Sequence, residues 1–387
     1  MDYLLWVIVR HMPIKMALPD VEKIKGAKTA YLKQPTVSSY NEWDPLEEVI
    51  VGVVEGATVP VWDFITKATT PVHASWFFKK YGGKHFPAKL IEKASIELDG
   101  LISLFKKLGI TVRRPEKIDF SKKYQTPWWK STGLYAAMPR DILLVIGDMI
   151  IEAPMAWRSR YFEIYAYRKL LNEYFKDGAR WLTAPKPSMA NGFYDTNYRP
   201  QNHTANGKKQ YIVTGSEVAF DAADFVRCGR DIFVQKSQVT NDMGIEWVRR
   251  HIGPEYTVHI VEFGDPHPMH IDTTIVPLAP GKLLINPEWV TKIPPMFKSW
   301  DILVAPPPVK PFDFAMYFSS DWLTINFLSI DEKRVIVEEQ EEPLIRALDK
   351  WGFEPIPIPF RNFYPFGGSI HCATTDIRRR GTLQSYF

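Results

Sequence analysis

Cysteine is scarce in this chain: its 387 residues hold two, Cys228 and Cys372. Two thiols cannot build a disulfide framework, so the small stapled secreted class is excluded and a reducing, cytoplasmic setting is expected. Long apolar runs are missing too. The run Leu4 to Val9 has no basic segment before it, falls far short of the roughly 20 residues of a membrane span, and is stopped by Arg10 and His11. Charge of one sign is also lacking. Forty-eight basic and 44 acidic residues leave a formal +4, and the longest basic run is Arg378 to Arg380. Nucleic acid is not favoured as a partner, and no membrane association is expected. What the chain does have is a hydrophobic fraction of 45%, enough to bury a full core in one large domain or two average ones.

Residues 1–36 carry little periodicity and read as an N-terminal tail, leaving 37–387 as the folded body. Within that body a short apolar run with a charged start recurs. It appears at Leu46 to Val51, Asp141 to Val145, Asp231 to Val234, Lys282 to Ile285 and Lys333 to Val337. Each reads as a buried strand. After each comes a helical stretch, usually closed by a glycine, and then a second strand, as at Gly109, Gly178, Gly253 and Gly352. The stretch around Lys298 to Val304 lacks the glycine. Five strand, helix, strand units without linkers point to a single α/β domain built as a five-module radial array, with strand ends converging on a central cavity.

The chemistry gathers near the C-terminus. Cys372 follows Gly367-Gly368-Ser369 and precedes three arginines, a setting that favours a nucleophilic thiol. Two familiar schemes do not fit. The five residues between Cys372 and Arg378 match a cysteine-phosphatase loop, but Asp376 would put a negative charge in the anion cradle. A papain-like hydrolase needs its cysteine early on a helix, and here it is last. A third scheme starts from carboxylates. Asp221 and Asp224 lie among small apolar residues, and His270 lies two residues before Asp272, so an extended segment would turn both to one face. With Asp141 these carboxylates would surround the thiol and suit a cation, for which a guanidinium with its planar fork of donors is the natural guest. Such carboxylates would also raise the thiol pKa, so activation would depend on the guest and His270. The plainer alternatives are a core histidine at His270 and helix caps at Asp221 and Asp224.

The segments Ser39 to Gly52, Ala153 to Arg160, Phe220 to Phe225 and His371 to Tyr386 closely resemble the arginine:glycine amidinotransferase family, and the likeness runs from about Val37 to the end. The resemblance implies the five-module α/β propeller called the pentein fold and a ping-pong reaction. In it Cys372 attacks the guanidinium carbon of L-arginine, ornithine leaves, and an amidino-cysteine awaits an acceptor amine. His270 would be general acid and then base, Asp221 would orient it, and Asp141 and Asp272 would grip the guanidinium. Ser319 and Ser320 match residues near the amino-acid end of the substrate. No metal or cofactor is expected, and the resemblance leaves room for a homodimer. Two positions depart from glycine-specific members. Trp289 stands where they carry a carboxylate-clamping arginine, and His267 replaces an asparagine, although Met269 is retained. Losing a bidentate carboxylate anchor costs about 1.5–3 kcal/mol. The expected acceptor is therefore a larger, less anionic primary amine, as in the bacterial toxin pathways for saxitoxin or cylindrospermopsin. A glycine acceptor, a deiminase-like hydrolase and a silent binder of cationic amino acids are the alternatives.

Overall fold

A computed structural model describes residues 35–70, 75–202, 204–205, 208–309 and 320–387. Nearly all of the expected tail therefore lies outside the described residues. From Pro35 onward the described chain forms five three-stranded sheets of one design, with two small two-stranded ribbons beside them. In each sheet the central strand pairs antiparallel on one side and parallel on the other. The central strands are Leu46–Val51, Met149–Glu152, Asp231–Val234, Lys282–Ile285 and Arg334–Glu338. Five equivalent sheets make the expected five-module α/β propeller.

The parallel pairing explains the recurring helix. Parallel neighbours need a crossover, and an amphipathic helix supplies it while covering the sheet. These helices are Ala88–Lys107, Arg168–Lys176, Asp242–His251 and Glu342–Lys350. The fourth module, the one without the glycine, makes its crossover with a 3₁₀ turn, Pro295–Ser299. Where a glycine does follow the helix it adopts a conformation other residues resist, for instance φ +98° at Gly178.

Two features differ from the sequence reading. Every module has an additional antiparallel strand, so the unit is strand, strand, helix, strand. In the second module Asp141 to Val145 is not the central strand: Pro139–Ile142 is a short helix, Leu143–Ile146 is the outer strand, and Met149–Glu152 takes the centre. Two apolar runs joined by the turn at Gly147 are equivalent by periodicity, and only the pairing partner distinguishes them.

The first module is completed from the far end of the chain. Thr374–Arg379 pairs antiparallel with Leu46–Val51, from Leu46 with Arg379 to Val51 with Thr374, with an irregularity in the register at Glu48. This closure delivers Cys372 to the interior. Beneath it lies a buried charge network. Arg227 meets Glu42 through two bonds of 2.8 Å and Asp376 at 2.7 Å, while Arg140 and Arg379 reach Asp376 at 2.6 and 2.7 Å. Of the other arginines after Cys372, Arg378 bonds Glu47 and Glu48, and Arg380 bonds Glu47. Arg378 and Arg380 thus bind the closing strand to the first module, while Arg379 braces Asp376 on its own strand and reaches the carbonyls of Asp44 and Ser329. No helix among the described residues is long and apolar enough to cross a membrane.

Candidate active site

Cys372 sits in the turn before the closing strand and is 3% exposed. The turn hangs on one side chain: Asn326 Oδ1 accepts from the backbone N–H of Ser369 at 3.2 Å and of Cys372 at 3.1 Å. Its close packing explains Gly368, where an added Cβ would lie 2.6 Å from Cys372 Cβ and 2.9 Å from Met138 Sδ.

His270 faces the thiol from the fourth module. Its backbone is at φ +65°, ψ 117°, a rare conformation for a residue with a side chain and one that stores roughly 1–3 kcal/mol. Asp224 helps to hold it there, accepting from His270 N–H at 3.0 Å and from Ser237 Oγ at 2.6 Å. The segment is therefore not the extended strand expected from the His270 and Asp272 spacing: Ile271–Thr273 is a 3₁₀ turn. Nor does either aspartate cap a helix through its side chain at Ala222–Asp224. The ring is flanked by carboxylates, with Nε2 3.1 Å from Asp221 Oδ2 and Nδ1 3.7 Å from Asp141 Oδ1.

Asp272 completes the cluster, 3.8 Å from Cys372 Sγ and 2.6 Å from His371 Nδ1. His371, whose other ring nitrogen lies 3.6 Å from Glu42, and Asn326 were not singled out by sequence. The one sequence signal for His371 is its place beside Cys372. Asn326 has no local signal at all.

The titration behaviour follows from burial against charge. Burial pushes the Cys372 thiol up to about 12, Asp272 adds to it, and the bond to His270 opposes both. Burial would lower the pKa of His270, but Asp141, then Asp221 and the thiol, outweigh it and hold the imidazole well above its ordinary value. Burial raises Asp221, opposed by its bond to His270. Burial would also raise Asp272, but bonding to His371 leaves it lowered. The resting site is thus a protonated thiol beside an imidazolium, ringed by carboxylates.

One pattern recurs in those carboxylates. Asp141, Asp221 and Asp272 each have Oδ2 engaged, by Arg160, His270 and His371 respectively. Each has a buried Oδ1 without a hydrogen-bond partner. Unsatisfied buried acceptors are costly, so the site is built for a guest rich in donors. A metal ion is a poorer fit. Asp141, His270 and Cys372 do offer ligand atoms within 4.8 Å of one another, but an imidazolium and a protonated thiol cannot ligate without losing their protons.

A cleft of about 660 Å³ opens over this cluster. Cys372, His270 and Asp272 lie in its floor, and Met269, His267, Trp289 and Ser320 are in its walls. Asp141 and Asp221 flank the two ring nitrogens of His270, with Asp141 within 4.8 Å of the thiol, and Ser319 lies outside the described residues. Glu288 and Asp265, which sequence reading passed over, also line the walls, and no arginine or lysine does so among the described residues.

No protein-family model matches the chain. Relatives do. It is 51% identical over 356 residues to the L-arginine:L-lysine amidinotransferase of Pseudomonas savastanoi pv. phaseolicola, covering 92% of this chain and 98% of that one. It is 50% identical over 361 residues to the mitochondrial glycine amidinotransferase of Gallus gallus, covering 92% and 86%. Among solved structures it is similar to SxtG, an amidinotransferase of the saxitoxin pathway in Microseira wollei, with 52% identity, a TM-score of 0.87, and coverage of 91% and 100%. With half of its residues shared along nearly the whole length of these enzymes, the chain belongs to the amidinotransferase family.

Proposed function

We propose that this amidinotransferase takes its amidino group from L-arginine and gives it to a primary amine other than glycine, in a secondary-metabolite pathway. The unpartnered Oδ1 atoms of Asp141 and Asp272, the two carboxylates beside the thiol, support the donor half. They present acceptors to a planar guanidinium, which in turn lends positive charge to a thiol that burial keeps protonated. As the guanidinium settles, its charge draws the proton off the Cys372 thiol into the water of the cleft, and the thiolate sulfur attacks the guanidinium carbon. The bond from that carbon to the side-chain nitrogen of the nascent ornithine breaks, and His270 gives that nitrogen a proton. The acceptor amine then attacks the amidino carbon, His270 takes up the proton released, and the carbon–sulfur bond breaks to give back the thiolate, which regains its proton from water as the guanidino product leaves.

The acceptor reading rests on the cleft wall. Trp289, His267, Glu288 and Asp265 line it, with no cation among the described residues to clamp a small carboxylate. Its volume lies within the roughly 300–1,000 Å³ that accommodates drug-sized ligands. The wall suits a larger, neutral or cationic amine, which an aromatic face and carboxylates favour.

The test is incubation of purified protein with arginine and a panel of amines, with guanidinylated products read by mass spectrometry. Turnover of a larger amine above glycine is expected. Preference for glycine over every larger amine overturns the acceptor reading, and citrulline release without an amine would identify a hydrolase instead.

A further inference from the structure

Behind Asp141 lies a buried pair that the reaction described above does not use. Arg160 and Glu163 are 2% and 1% exposed and face one another as two forks, Nε to Oε2 at 2.7 Å and Nη2 to Oε1 at 2.8 Å. The remaining terminal nitrogen, Nη1, reaches Asp141 Oδ2 at 2.7 Å and comes within 3.9 Å of Asp221 Oδ2. The guanidinium plane also lies over the Tyr135 ring, 5.3 Å from its centre. Its orientation is thus fixed from three sides.

Such a residue could be a structural pin and nothing more. Its placement argues otherwise. A carboxylate beside a bound guanidinium can rotate and meet it with either oxygen. Asp141 cannot, because Arg160 holds Oδ2 and leaves Oδ1 unpartnered, 3.7 Å from His270 Nδ1. Charge is the second consideration. His270 has Asp141 and Asp221 at its ring nitrogens, Asp224 at its backbone, and Asp272 and the Cys372 thiol in front. With that many carboxylates an imidazolium would hold its proton too firmly to pass it to ornithine. Arg160 is the cation bonded to Asp141 and close to Asp221, and Glu163 sets how much of its charge remains for them. Lys186, bonded to Pro154 O at 3.1 Å, is a further cation on this side.

We propose that Arg160, held by Glu163, is a positioning residue for the transfer: it turns one oxygen of Asp141 toward the guanidinium and moderates the proton affinity of His270. The proposal rests on the arginine-donor reading above. Charge and geometry are separable. Glu163→Gln keeps the shape and removes one negative charge. Arg160 then neutralises Asp141 and Asp221 more fully, and His270 binds its proton less tightly. Arg160→Lys keeps the charge but loses the planar fork, so Asp141 is less well aimed.

The experiment is the single-turnover release of ornithine from L-arginine by the full chain, followed against pH and arginine concentration, with no acceptor present. Glu163→Gln is expected to move the alkaline limb of the rate profile to lower pH by roughly one unit, a tenfold change in proton affinity. Arg160→Lys is expected to leave that limb in place and to raise the arginine concentration for half-saturation by about tenfold or more. Equal losses of rate in both variants, with neither the limb nor the half-saturation moved, would reduce the pair to packing and overturn the proposal. If either single variant fails to fold, the double variant Arg160→Met with Glu163→Met removes both buried charges together. Unchanged arginine half-saturation in that protein would also overturn the proposal. Wild-type protein that releases no ornithine would sink the donor reading itself, whereas normal wild-type release with unaffected variants sinks only the role of Arg160.

Discussion

Replacing Asp221 with asparagine isolates the coupling between His270, the proposed general acid, and its carboxylate. Asparagine matches the shape of the residue, which is fully buried, and changes only its charge and one acceptor. The lost interaction is a charged hydrogen bond, His270 Nε2 to Asp221 Oδ2 at 3.1 Å, and such bonds contribute about 1.5–3 kcal/mol. Since 1.36 kcal/mol corresponds to one pKa unit, the imidazole pKa should fall by about one to two. Asp141 still holds it up. A general acid contributes about 10²- to 10⁴-fold in rate, so ornithine release should slow within that range and its alkaline limb should move down in pH. Arginine binding should persist, because Asp141 and Asp272 are untouched. There is also a stability signature. Because the folded pKa of His270 is raised, its stabilisation is fully present below the unfolded value of about 6.5 and lost as pH rises through the folded pKa. The variant should lose that stabilisation at lower pH, visible in urea midpoints across the alkaline range. A release rate close to wild type with an unmoved alkaline limb would refute the orientation of His270 by Asp221.

Other changes probe the remaining parts of the site. Cys372→Ser should abolish ornithine release, and wild-type protein mixed with arginine should gain about 42 Da, the mass of an amidino group on sulfur. In the resting enzyme a thiol at about 12 is ionised to about one part in 10⁴ at about pH 8, so iodoacetamide should label Cys372 far more slowly than an exposed thiol. Prompt stoichiometric labelling without substrate would contradict the carboxylate-ringed resting state. Gly368→Ala should eliminate most activity while the fold persists by circular dichroism, because its Cβ displaces Cys372. Asp376→Asn should destabilise the protein by about 3–5 kcal/mol in denaturant titrations, since it leaves Arg140, Arg227 and Arg379 short of their shared partner. Burial opposes ionisation of Asp376, yet those arginines hold it well below the usual range. Its stabilisation should therefore be present above about pH 3.9 and lost only in stronger acid.

Much of this molecule can be read from residue order alone, because some signals are local. Apolar runs with a charged start mark strands, amphipathic stretches ending in glycine mark crossover helices, and their fivefold return implies the module count. Cys372 between Gly368 and the arginines, and the carboxylates in apolar company at Asp221 and Asp224, are equally local. Other features are not. Thr374–Arg379 is too polar to read as a strand until it pairs with Leu46–Val51, and Asn326 reveals nothing until its Oδ1 is found beneath the Cys372 turn. The stretch of arginines that looked like an activator of the thiol proved to be an anchor for the closing strand, because the acidic partners of Arg378 and Arg380, Glu47 and Glu48, arrive only on folding. Sequence alone thus determined which groups exist for the chemistry and how many modules carry them. Tertiary structure decided which oxygen of each carboxylate stays unpaired, and hence where a cation would sit, because that choice depends on partners distant in the chain: Arg160 for Asp141, His270 for Asp221 and His371 for Asp272.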